Sequence, residues 1–136
     1  MDLVKAMEAA AQGMKAQGTR MKVISENMAN AETTGKTAAD NPYQRQIVTF
    51  KNILNRQTGN QEVDVDKIVR DKAPFIMKYD PSHPAADAKG YVKMPNVNPM
   101  LEMMDMREAQ RSYEANVNVI TASRRMIART IEILKS

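Results

Sequence analysis

A chain of 136 residues with 20 basic and 16 acidic side chains is long enough for one modest folding unit, or for two long helices with an insert, and too short for two independent globular cores. The formal charge of +4 is dispersed: residues 1–31 carry four basic and three acidic side chains, residues 32–99 ten and eight, and residues 100–136 six and five, so no segment holds the basic stripe of a nucleic-acid binder. The absence of cysteine excludes disulfides, thiolate metal sites and a cysteine nucleophile.

Leu, Ile, Val and Phe together number only 25, and twelve methionines make up the apolar volume. Flexible thioether side chains suit surfaces that pack against several slightly different neighbours. All six prolines lie between Pro42 and Pro99, which leaves both ends free to be helical. Near the N-terminus Met7, Met14, Met21 and Met28 recur every seven residues, with Leu3, Ala10, Ile24 and Ala31 interleaved and Gln17 as the exception. This heptad pattern predicts one amphipathic helix from about residue 2 to 31. Gly13 and Gly18 weaken it by about 1 kcal/mol each relative to alanine, and mark close helix approach or a flexible stretch.

The middle of the chain is polar and proline-rich. It offers strand candidates at residues 45–50, 63–69 and 75–79, with turns expected at Gln57-Thr58-Gly59-Asn60 and at residues 79–84. A second long helix is predicted from Asn98 as N-cap and Pro99 as its first residue. Its seam runs through Met103, Met106, Tyr113, Val117, Ile120, Ile127, Ile131 and Leu134, interrupted by Gln110 and Arg124. A second stripe, Ala115, Val119, Ala122, Met126 and Ile133, lies partly off the first, which implies contacts with other chains. The expected fold class is mainly α: residues 1–33 and 98–136 pair as an antiparallel coiled coil, and residues 34–97 form an extended or β-hairpin insert. The expected assembly interface is Leu3, Met7, Met14, Met21, Ile24, Met28, Tyr113, Val117, Ile120, Ile127, Ile131 and Leu134.

Signals for chemistry are weak. His83 stands near Asp80 and Asp87 in a turn-rich segment, without the ligand count of a metal site or a nucleophile beside it. Asp64 and Asp66 alternate with Val63 and Val65, the pattern of a strand's solvated face. The common phosphate-binding, hydrolase and zinc signatures are absent. No catalytic residue, cofactor or metal is therefore expected. The first residues lack the apolar core of a cleaved signal peptide, and no run approaches a membrane span, so departure from the cytoplasm would use an uncleaved route.

Three separated motifs carry a resemblance. Asn27-Met28-Ala29-Asn30-Ala31-Glu32-Thr33 is similar to the Asn-x-Ala-Asn-x-x-Thr signature of the flagellar rod and hook axial proteins. Tyr79-Asp80-Pro81-Ser82-His83-Pro84, continuing to Pro95-Asn96-Val97-Asn98-Pro99, resembles the segment that marks a proximal-rod branch of that family. Tyr113-Glu114-Ala115-Asn116 resembles the family's C-terminal signature. The resemblance implies a non-enzymatic subunit of the basal-body rod, exported by the flagellar type III apparatus and assembled in the periplasmic space. It further implies a helical hetero-assembly with copies of itself and with FlgB, FlgF, FlgG and FliE, and neither nucleic-acid binding nor membrane insertion. Two other readings of the residues stay open at this point: a soluble coiled-coil adaptor forming a closed oligomer, and a weak nucleic-acid binder.

Overall fold

The computed structural model describes residues 2–56 and 59–135. In chain order it contains α1 (Asp2–Ala29), β1 (Gln46–Leu54), β2 (Gln61–Arg70), β3 (Ile76–Tyr79), β4 (Tyr91–Met94) and α2 (Pro99–Lys135). The mainly α architecture with a central β insert is as expected. The helix ends follow from side chains. Asn30 stops α1 two residues earlier than the heptads suggest: its backbone N–H and its Nδ2 both donate to the Glu26 carbonyl, at 3.1 and 2.8 Å. Thr33 then donates its N–H to the Asn30 carbonyl at 3.1 Å, turning the chain out of the helix. At the start of α2 the Asn98 Oδ1 accepts the N–H groups of Met100 and Leu101 at 3.0 and 3.4 Å, the N-cap expected ahead of Pro99.

The chain divides into two compact units. The first comprises residues 1–21, 49–67 and 107–136. In it α1 and α2 run antiparallel, because Gly13 faces Asn116 while Arg20 reaches Glu108 at 3.4 Å. The fully buried positions are small: Ala10, Ala16, Ala109 and Ser123. On α2 the inward positions are thus Ala109, Asn116 and Ser123, one residue ahead of the expected Gln110, Val117 and Arg124. Small side chains let two helix backbones approach closely, and periodicity weighted by apolar size passes over them. Gln110 and Arg124 therefore interrupt nothing, since both are exposed.

The two glycines of α1 differ in the same unit. A Cβ on Gly13 would stand 2.8 Å from Asn116 Nδ2, whereas one on Gly18 would meet nothing within 4 Å. Gly18→Ala is expected to stabilise the chain by about 1 kcal/mol and Gly13→Ala to destabilise it by a similar amount, measured by urea unfolding. Equal shifts of one sign would contradict this packing.

The first unit also holds the tip of the β1–β2 hairpin, where Asn55 N–H donates to the Asn60 carbonyl at 2.8 Å and Lys51 pairs with Asp66 at 3.6 Å. Gln57 and Thr58 of the expected turn lie outside the described residues. The second unit comprises residues 22–48 and 68–106. There β3 pairs antiparallel with β4, from Ile76 opposite Met94 to Tyr79 opposite Tyr91. The strand candidate at residues 75–79 thus has a partner that sequence reading passed over. Val23, Ile24, Val92 and Val97 form this unit's apolar core.

Candidate functional site

The second unit is fastened by a buried polar network. Asn27, on the last turn of α1, is 1% exposed, and its amide uses its full hydrogen-bonding capacity. Nδ2 donates to the Gln46 carbonyl at 2.8 Å and to Glu102 Oε2 at 3.1 Å; Oδ1 accepts the Tyr43 hydroxyl and the Gln46 N–H, each at 2.9 Å. One side chain thereby ties α1 to the loop ahead of β1, to β1 and to α2. Glu102, on the first turns of α2, is also 1% exposed, and its Oε1 accepts Arg45 Nε at 2.5 Å. Arg45 further pairs with Asp71 at 3.3 Å and Asp105 at 3.7 Å. Asn96 completes the circuit: its Oδ1 accepts Arg45 N–H at 2.8 Å and its Nδ2 donates to the carbonyls of Asp71 and Ala73, both at 3.1 Å.

The electrostatics suit a structural clasp. Burial works against the Arg45 charge, but the hydrogen bonds and charges of Glu102, and then of Asp71, outweigh it and raise the guanidinium pKa. Burial, followed by the charges of Glu26 and Glu102, raises the Tyr43 pKa and keeps its hydroxyl a neutral donor. Arg45 is thus held as a cation and Tyr43 as a neutral donor.

The turn between β3 and β4 is built by local capping. Asp80 Oδ1 accepts Ser82 Oγ–H at 2.7 Å and Ser82 N–H at 3.3 Å, and Asp87 Oδ1 accepts the N–H groups of Lys89 and Tyr91 at 2.8 and 2.9 Å. His83 Nδ1 accepts Ala85 N–H at 3.0 Å, so the ring closes a turn. Gly90 takes φ 84°, and a Cβ there would lie 2.9 Å from Tyr79, whose ring meets Tyr91 edge-on with centroids 5.3 Å apart. Only glycine fits. His83, Asp80, Glu32 and Lys78 line a cavity of about 180 Å³. Among the described residues no cluster of three His, Cys, Asp or Glu side chains could hold a metal ion.

Both turn carboxylates have lowered pKa values: Asp80 chiefly through the Ser82 hydroxyl, Asp87 chiefly through the Tyr91 N–H. A carboxyl with a depressed folded-state pKa lends stability above its ordinary value of 3.8, and that contribution is lost as pH falls through the lower folded value. The Tyr79 and Tyr91 ring resonances are therefore expected to hold steady from neutral pH down to about 4 and to move below it. In Asp80→Asn/Asp87→Asn that acid-dependent movement should disappear; its persistence would place the titration elsewhere.

The structure separates the residues expected at the assembly interface by exposure. Ile24 is buried; Leu3, Met7, Met14, Met21, Met28, Tyr113, Ile120 and Ile127 are half-buried; Val117, Ile131 and Leu134 are exposed. Of the motif residues, Asn27, Asn30, Asn96, Asn98, Asp80 and His83 each make the structural bonds described above, Pro95 is buried, and Asn116 faces Gly13. Ala29, Thr33, Pro81, Pro84, Pro99, Glu114 and Ala115 are exposed. Sequence reading placed Arg45 only at the start of a strand candidate and singled out neither Asp71 nor Glu102 as a site residue. Only its buried position reveals Glu102 as the partner of both Arg45 and Asn27.

Two stretches match known families: residues 7–35 match "Flagella basal body rod protein", and residues 88–133 match "Flagellar basal body rod FlgEFG protein C-terminal". These stretches contain Asn27, Asn96 and Glu102. The flagellar basal-body rod protein FlgC of Agrobacterium fabrum is 48% identical over 134 residues, covering 98% of this chain and 96% of the relative. The chain belongs to the FlgC family. The FlgC proteins of Bacillus subtilis and of Escherichia coli O6:H1 are 40% and 36% identical, with 95% and 98% of this chain and 96% and 98% of those relatives aligned. As a FlgC-family member the chain is a structural subunit of the flagellar rod, and among its described residues no helix is long and apolar enough to cross a membrane.

Proposed function

We propose that this FlgC-family chain is a proximal-rod subunit that carries torque and performs no chemical step. The observation that supports this beyond family membership is the outer face of α2. In a 37-residue helix, Met100, Leu101, Met103, Met104, Val117, Val119, Met126, Ile131, Ile133 and Leu134 are all exposed. A helix this apolar on its outer face calls for neighbouring chains. Residues 1–33 and 98–136 form the axial part, laid lengthwise in the rod, and residues 34–97 contact adjacent subunits. Heterologous contacts repeated with a rotation and a rise give an open helix, the geometry of a shaft. The partners are copies of this chain together with FlgB, FlgF, FlgG and FliE. The chain reaches the periplasmic rod through the flagellar type III apparatus without a cleaved signal.

Complementation of a flagellated bacterium lacking its own FlgC tests this reading. Changing Met21, Met28, Ile120 or Ile127 to a charged residue is expected to abolish rod incorporation and swimming, because each change buries an unpaired charge. His83→Ala is expected to leave both intact. Normal rods with several of the charged variants would defeat the helix-packing role, and a chemical turnover lost in His83→Ala would overturn the non-enzymatic one.

A further inference from the structure

The first turns of α2 carry three thioethers that the polar clasp does not use. Met100 is 67% exposed, Met104 61% and Met103 44%. On the same turns Glu102 points inward to Arg45 and Asn27, so the helix is held by one face while the other offers three sulfurs to solvent. Met106, one turn further on, is half-buried, as are Met7, Met14, Met21, Met28 and Met94, whereas Met77 and Met126, each 49% exposed, stand singly on β3 and toward the end of α2 and stay unchanged as controls in the leucine variant below. Sulfoxidation requires an oxidant to reach the sulfur lone pair, so its rate follows exposure.

We propose that Met100, Met103 and Met104 form an oxidative modification site: hydrogen peroxide converts them to methionine sulfoxide ahead of the half-buried methionines, and this blocks incorporation while leaving the fold intact. In the step itself the sulfur lone pair attacks one peroxide oxygen. An S–O bond forms as the O–O bond breaks, and the departing hydroxide takes up the remaining proton. Sulfur loses two electrons, and one peroxide is reduced to one water. The product replaces a flexible apolar side chain with a polar one, which resists transfer into a dry interface. Glu102, Asn27 and Arg45 lie on the opposite face and keep their bonds, so the unit stays folded. The effect on assembly rests on the rod-subunit reading above.

Peptide mapping by mass spectrometry after graded peroxide treatment of the full chain tests the site. Met100 and Met104 are expected to oxidise about threefold or more faster than the six half-buried methionines. Equal rates, or earlier oxidation of the half-buried set, would overturn it. Sedimentation of the chain mixed with purified rod proteins tests the consequence. Peroxide treatment is expected to weaken association by about tenfold with an unchanged thermal melt, and a methionine sulfoxide reductase should restore it. The variant Met100→Leu/Met103→Leu/Met104→Leu should retain association after the same treatment. Undiminished association of the oxidised chain, or equal loss in the leucine variant, would overturn the blocking effect. If the untreated chain does not associate, the rod reading itself falls and the blocking effect with it, while the mapping result stands separately.

Discussion

Glu102→Ala is expected to cost about 3 kcal/mol of unfolding free energy, because removing one partner of a buried ion pair leaves the other charge uncompensated. Two bonds define the loss. Arg45 forfeits its closest carboxylate, and Asn27 Nδ2 forfeits one of its two acceptors. Arg45 keeps Asp71 and Asp105 and is partly open to solvent, which holds the cost toward the lower end of that range. Glu102→Gln should cost less, since a neutral amide can still accept from Asn27 or Arg45. Urea unfolding followed by circular dichroism checks both. A loss below about 1 kcal/mol in the alanine variant would mean that the clasp does not hold this unit.

Asn27→Asp should be nearly as damaging as Asn27→Ala, at about 3 kcal/mol each, although an aspartate has almost the same shape. The alanine variant leaves the half-buried Tyr43 hydroxyl, Gln46 N–H and Gln46 carbonyl without their partner. The aspartate variant could still accept from Tyr43 and Gln46, but it has no N–H for the Gln46 carbonyl and sets a second carboxylate against Glu102. If Asn27→Asp unfolded like the parent chain at neutral pH, the donor role of Nδ2 would be wrong. Because Asn27 and Glu102 share a bond, the double alanine variant should lose less than the sum of the single losses.

Which parts of this fold were legible in the sequence follows from what each residue contributes locally. Asn98 and Pro99 announce the start of α2 because capping is decided within four residues, and the confinement of proline to residues 42–99 leaves both ends of the chain free to be helical. On the inward face of α2, Met106, Tyr113, Ile120 and Ile127 are half-buried as expected, while the alternate positions were misplaced by one residue. The alternate positions that meet α1 are Ala109, Asn116 and Ser123, whose small or polar side chains weigh little in any apolar count. β4 was passed over for a similar reason: Tyr91–Met94 is four residues long and gains its identity from pairing with β3, a relation between segments. The polar clasp was least legible. Asn27, Arg45, Asp71, Asn96 and Glu102 are scattered along the chain, and each alone reads as an ordinary surface group. The Asn27 and Asn96 motifs were recognised as signatures, and the structure supplies their physical reason: both amides close hydrogen-bond circuits that no other side chain of their size could complete.

The clasp also bears on assembly. Among its described residues the first unit fully buries only alanines and a serine, whereas the second holds four larger aliphatic side chains and the ion pair. Apolar burial scales with area, so the first unit gains less from folding within a single chain. In a rod, contacts with neighbouring subunits would supply what that unit lacks.

Cryo-electron microscopy of basal bodies from a FlgC-deficient flagellated strain expressing this chain tests the structural role most directly. Density for α1 and α2 running lengthwise within the rod, with the outer face of α2 buried against adjacent subunits, is the predicted result. Rods that lack the chain, with the protein recovered instead as a closed soluble oligomer, would contradict it.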